Sequence, residues 1–183
     1  MRLRVVLAVL LLATTSVTAQ QAPQEDVEAV AQRYVAAMRA HNWKGLADLM
    51  HPLALAKFHT LLGAAMHSPS GGELRQHLFG SASIAKLDSL NDHDFYAQFI
   101  AAAMADEPDL QRFMDSAHVK ILGHVPEAPD LAHVVYSLRI GLGPVSVSKP
   151  DVVTFKRQGN TWLALLRADI EIMAESMRQR FGS

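Results

Sequence analysis

Nine histidines and no cysteine set the chemical limits of this 183-residue chain. Without a thiol there is no thiolate nucleophile or metal ligand, no disulfide and no lipid-bearing cysteine. Chemistry would have to come from imidazoles, carboxylates and hydroxyls. Three histidines stand in the stretch HNWKGLADLMHPLALAKFH, at His41, His51 and His59, and His67 follows. Ligands on adjacent helical turns stand four apart, as in H-E-x-x-H, whereas His51, His59 and His67 stand eight apart. Asp92-His93-Asp94 reads as the acidic start of a helix, where the helix dipole favours negative charge. No metal site and no cofactor is expected, since phosphate loops and dinucleotide fingerprints are absent as well. A G-x-S-x-G element is also missing, and Ser70-Gly71-Gly72 has no paired acid or base nearby.

His51 precedes Pro52 and reads as a junction residue whose ring caps a backbone group. His59 falls among Leu55, Phe58 and Leu62, and two readings stand. It is a hydrogen-bonded core histidine, or it is a neutral imidazole in an apolar groove that binds a ligand or shuttles a proton. Tyr34, Phe58, Tyr96 and Phe99 offer aromatic surface to a ligand, although most such residues are ordinary core. In the second half Tyr136 lies on one face of a strand between Val134 and Leu138, and Arg139 lies on the other. Neither is an evident general base near neutral pH. The ligand-binding candidates are therefore His59, Tyr34, Phe58, Tyr96, Phe99, Tyr136 and Arg139, with no catalytic set among them.

The elements that would position these residues follow from periodicity. Glu25 to Ala40 places Val27, Val30, Tyr34 and Met38 at spacings of three and four, which predicts an amphipathic helix. Asn42 caps a short second helix that closes at His51-Pro52, because a residue before proline avoids the helical region. Pro52 opens a third helix with Leu55, Phe58, His59, Leu62 and Met66 on one face. Ser68 to Gly72 reads as a loop, and Glu73 to Asp115 as further helix, with a start at Asn91 or Asp92 and an interruption at Glu107-Pro108. After Ser116 the period drops to two. Strands are predicted around Val119 and Ile121, from Val134 to Leu142, from Val152 to Arg157 and from Thr161 to Ala168. Gly159-Asn160 marks the last hairpin, and Pro150 belongs at a strand start, an edge or a bulge. Ile170 to Phe181 closes the chain as a helix with Ile172, Met173, Met177 and Phe181 inward. Helices followed by an antiparallel meander give an α+β class.

The stretch YVAAMRAHNWKGLADLMHP and the hairpin VVTFKRQGNTWLALL resemble the superfamily of nuclear transport factor 2 and ketosteroid isomerase, whose members include the SnoaL-like proteins. The resemblance rests on Asn42, Trp43, Leu46 and Leu49 in the second helix and on Phe155, Gly159 and Trp162 in the hairpin. It covers Glu25 to about His67 and Ala117 to Ala168. It implies N-terminal helices packed on a curved antiparallel sheet in a cone-like arrangement, with ligands bound inside the cone. Two departures are evident: a helical middle segment from Glu73 to Asp115, and a C-terminal helix after the last strand.

Arg2 and Arg4, the apolar run Val5 to Ala13 and the small residues ending at Ala19 have the layout of a secretory signal peptide, residues 1–19. The apolar run is about half the roughly 20 residues that cross a bilayer. Residues 20–183 are then one exported domain, periplasmic or secreted, without a membrane anchor. Removing the signal takes two from a formal charge of −1, and the mildly acidic remainder speaks against nucleic acid. The sequence thus points to a non-catalytic binding module for a small apolar or amphipathic molecule or a protein partner. An isomerase- or hydrolase-type enzyme in the cone, with His59 as acid or base, is one alternative. A structural homodimer formed through the outer face of the sheet is the other.

Overall fold

The computed structural model describes residues 25–80, 84–105, 107–142 and 145–181, so the expected export signal at 1–19 lies outside the described residues. Helix α1 (Val27–Arg39) starts where the Asp26 carboxylate accepts the Glu28 N–H at 3.1 Å. It ends in a two-bond cap, with the His41 and Asn42 amides donating to the carbonyls of Met38 and Ala37. His41 sits there at φ 51°, the left-handed position that glycine usually takes. Helix α2 (Trp43–Ala47) is capped by Asn42, whose side chain accepts from Gly45 N–H.

Helix α3 (Pro52–His67) begins as the sequence predicts. The His51 ring is buried, and its Nδ1 accepts the Leu53 N–H at 3.1 Å. Burial, helped by Lys156, lowers the pKa of His51, which keeps the ring neutral and Nδ1 free to accept. Such a cap is worth about 1 kcal/mol. The stretch read as a loop after α3 is a turn of 3-10 helix (Pro69–Gly71) capped by the Ser68 hydroxyl, and α4 (Gly72–Phe79) follows directly. The proline-glycine composition misled because both residues serve here as helix starters rather than breakers. Helices α5 (Ile84–Asp88), α6 (Asp92–Ala105) and α7 (Pro108–Ser116) complete the middle segment. The Asn91 side chain accepts the Asp94 N–H at 2.8 Å, which fixes the start of α6.

The sheet is an antiparallel meander in the order β1 (His118–Ala128), β2 (Leu131–Leu142), β3 (Val145–Gln158), β4 (Thr161–Ala164). It is curved and does not close, so the chain is a mixed α+β protein. Register shifts at Ile121/Gly123 and Pro126/Ala128 bend β1, and Gly123 supplies the φ of 142° that the first of them needs. Strand β3 begins at Val145, well before the Val152 expected from the sequence. Pro150 lies within it, opposite Ser137 of β2 and outside the part of β3 that pairs with β4, so it occupies an edge. Gly159 has φ 62° at the first position of the β3–β4 turn. Strand β4 is shorter than expected, and α8 (Ala168–Phe181) starts where the strand was read to end.

Alternation sorts the sheet into two faces. Ala132, Val134 and Tyr136 of β2 and Val153 and Phe155 of β3 are buried on the inner face, with Trp162 and Ala164 of β4. Val135, Arg139 and Val152 point away from it. Helices α1 and α3 supply Val30, Tyr34, Phe58 and Leu62 to the same core. Phe58 sits at its centre, edge-on to Phe95, Tyr96 and Phe99 of α6 with centroids 6.3, 5.0 and 5.1 Å away. Such pairs add about 0.5–1.5 kcal/mol each beyond the area they bury. Helix α8 packs along α3 with Ala174 fully buried. Its orientation differs from the expected one, since Ile172 is 67 % exposed while Ile170, Met173 and Met177 turn inward. Packing of Ala174 with Ile170, Met173 and Met177 sets this rotation, and the Lys57–Glu171 ion pair lies at the flank of α3.

Candidate functional site

Three tyrosines from three elements meet one ion-pair network at the inner face of the sheet. Tyr136 of β2 stands opposite Asp151 of β3 in the register, and its hydroxyl donates to Asp151 Oδ2 at 3.1 Å. Arg167, in the connection between β4 and α8, donates Nη1–H to the Tyr136 hydroxyl at 2.6 Å and Nη2–H to Asp151 Oδ2 at 2.9 Å. It also donates from Nε and Nη2 to the two oxygens of Asp169, in the first turn of α8. The Arg167 and Asp151 side chains keep 25 % and 22 % of their surface exposed, so the network borders solvent on one side.

Tyr34 of α1 and Tyr96 of α6 approach the same network from the helical side. The field of Arg167 reaches both hydroxyls, and Tyr34 acts on Tyr96 and on Tyr136. Both residues are 5 % exposed, and neither hydroxyl is among the described side-chain atoms that are sealed from solvent and lack a partner. Burial pushes the Tyr34 phenol up to about 12 against the pull of Arg167, and burial likewise raises Tyr96 and Tyr136. All three are therefore neutral O–H groups near neutral pH. Asp151 is also partly desolvated, which raises its pKa. The Val152 amide, Arg167 and Tyr136 outweigh that and hold it low. Asp169 is held low chiefly by its hydrogen bond to Arg167. The cluster contains hydrogen-bond donors and firmly ionised carboxylates but no group poised to take a proton at neutral pH.

The network also sets a pH dependence. Because both aspartates have folded pKa values below their unfolded ones, their contribution is complete above the unfolded range near 4. It is lost as pH falls through the folded values. Arg167→Met is expected to remove most of the extra loss of stability that the wild type shows below pH 4, as read by urea unfolding at pH 7, 4 and 2.5. Parallel losses in both proteins would show that the acid sensitivity lies elsewhere.

The remaining candidates go to other places. His59 Nδ1 is 2.7 Å from Asp92 Oδ1, and its ring stacks on Phe95 with centroids 4.0 Å apart. It thereby ties α3 to the first turn of α6, and it shares no hydrogen-bond partner with Tyr136. Arg139 is exposed on the outer face and donates to the Ser146 hydroxyl. Phe58 and Phe99 are sealed in the aromatic core. Of the seven candidates, then, the structure brings Tyr34, Tyr96 and Tyr136 together, with Phe58 and Phe99 packed behind Tyr96. Sequence reasoning missed Arg167, Asp151 and Asp169. Asp151 could have been found, since it is two residues before the inward Val153 and shares its face. Arg167 carries no such signal, because it lies outside any periodic element.

Histidines elsewhere bind element to element. His93 Nε2 is 2.8 Å from Asp48, His124 Nδ1 is 2.8 Å from Glu28, and His133 Nε2 is 2.5 Å from Glu127. Among the described residues no group of three or more metal-binding side chains comes together, and no helix is long and apolar enough to cross a membrane. Two clefts lie along α6 and share Gln98 and Ala101. One, of about 350 Å³, is walled by Leu78, Phe79, Leu87 and Leu90; the other, of about 420 Å³, by His41, Trp43, Lys44 and Asp94. Against known proteins, no family model matches the chain, and neither a curated protein nor a solved structure does.

Proposed function

We propose that the chain is an exported binding module with the cone-like arrangement of the nuclear transport factor 2 and ketosteroid isomerase superfamily. It takes a small amphipathic molecule at the Tyr34, Tyr96 and Tyr136 cluster. The observation that carries the reading is the convergence of the Tyr34, Tyr96 and Tyr136 phenols on the Arg167 network, which borders solvent. A ligand oxygen seated there would accept from the phenols. Arg167 is already engaged by two carboxylates and Tyr136, so it offers little to an anion. A neutral carbonyl or hydroxyl head matches the site better than a carboxylate. The order of elements, the Trp43-Leu46-Leu49 helix and the Phe155-Gly159-Trp162 hairpin support the cone-like arrangement.

Native mass spectrometry of protein purified from its own cell envelope tests the reading. A discrete extra mass is expected that vanishes on denaturation and falls at least tenfold in occupancy in the Tyr34→Phe, Tyr96→Phe double variant. These substitutions remove two oxygens and leave the packing intact. A bare mass from wild-type protein that exchanges no ligand in lysate overturns the reading, as does a bound mass with equal occupancy in both proteins.

A further inference from the structure

His67, the last residue of α3, makes two contacts that one neutral imidazole cannot make together. Its Nδ1 is 2.6 Å from the Gly63 carbonyl oxygen and its Nε2 is 2.6 Å from Asp88 Oδ1. A carbonyl and a carboxylate only accept, so each ring nitrogen must carry a hydrogen, and the ring that fits this geometry is the imidazolium cation. Asp88 ends α5, a five-residue helix whose Lys86 and Leu87, with Leu90 just beyond it, line the cleft of about 350 Å³ against α4 and α6. The His67–Asp88 contact is a hydrogen bond that joins the end of α3 to α5.

We propose that His67 is a protonation-dependent latch. As the cation it clasps α5 to the end of α3 and keeps the cleft between α4, α5 and α6 narrow. On losing a proton the ring gives up one of its two acceptors and its charge, so its hold on the Asp88 carboxylate weakens and α5 loosens from α3.

The surroundings agree with this assignment. The C-terminal turn of a helix favours a cation through the helix dipole. The Gly63 carbonyl, and then Asp88, raise the pKa of His67 against partial burial and the Arg75 guanidinium. Of the elements packed on α3, α4 presents Arg75, whose Nη1 is bonded to the Met66 carbonyl at 2.6 Å. Helix α6 commits Asp92 to His59, and α8 commits Glu171 to Lys57, both nearer the start of α3. The 3-10 turn brings no ionisable side chain. A raised folded pKa means that the latch is complete below the ordinary histidine value near 6.5 and is lost as pH rises through the folded one.

Nitrogen-15 and proton NMR of the whole protein from pH 5 to 9 tests the latch, with Asp88→Asn as the surface variant. The expected result is a His67 ring protonated on both nitrogens at pH 6 with a midpoint above 6.5. That midpoint should fall by at least half a pH unit in Asp88→Asn. Hydrogen-exchange protection of the α5 amides, corrected for intrinsic rates, should fall about tenfold in the wild type over the same pH range, and 8-anilinonaphthalene-1-sulfonate fluorescence should rise with it. A midpoint unchanged by Asp88→Asn overturns the proposal, and so does α5 protection that does not vary with pH.

Discussion

Phe58→Ala lowers the free energy of unfolding by about 3–5 kcal/mol, the usual range for deleting a fully buried phenyl ring. Phe58 is 0 % exposed and stands between the helices and the inner face of the sheet, edge-on to three rings of α6. Its removal deletes the transfer term and leaves a cavity that α6 cannot close. Tyr96, Phe95 and Phe99 are all fixed on one helix, so none of these rings can simply move in. Urea denaturation at pH 7 measures the effect, and a loss under about 1.5 kcal/mol would show that the core relaxes around the site more freely than its packing implies. A domain of this size has only about 5–15 kcal/mol in all, so the variant should also melt at least several degrees lower.

Gly71→Ala is expected to cost about 3 kcal/mol, at the upper end of overpacking effects. A Cβ built on Gly71 would lie 2.0 Å from the Ala65 carbonyl oxygen and 3.0 Å from the Ala65 carbonyl carbon and the Met66 Cα. All three are backbone atoms of the last turns of α3, so no side chain can swing aside. The turn is already fixed by the Ser68 hydroxyl, which donates to the Ala65 carbonyl at 2.9 Å and accepts from Gly71 N–H. Thermal unfolding of Gly71→Ala beside Gly72→Ala makes the comparison. At Gly72 the added carbon would meet only the end of the Arg75 side chain at 3.8 Å, so little change is expected there.

Much of the scaffold was legible because its signals are local. The spacing of Val27, Val30 and Tyr34, the Asn42 and His51 caps and the Gly159 turn all depend on a few neighbours in sequence, and each forms as read. The failures are of a different kind. Gly71 and Pro69 look like loop residues until the close approach to Ala65 is known, and the rotation of α8 depends on which of its apolar residues α3 can receive. At the site, three tyrosines could be named from pattern and type. The Arg167 network could not, because its members Tyr136, Asp151, Arg167 and Asp169 are joined by a strand register and by the exit angle of a connection. For His59 the core and groove readings both stood open in the sequence, because Asp92, the group that pairs with it, lies on another helix.

The short parallel bridge between Met50 and Ala164 has a consequence for how the chain folds. The Leu49 carbonyl accepts from the Ala164 amide, and the Ala164 carbonyl accepts from the amide of His51, the cap of α3. The helices can therefore condense early from local contacts, but the start of α3 stays unanchored until the final hairpin has been made. Loop closure across most of the chain comes last, and contacts of that sequence separation slow folding. A nascent chain halted before Thr161 would hold α3 without its backbone anchor. Commitment to the native state thus falls to the last strand to emerge, which keeps the protein pliable for as long as its synthesis lasts.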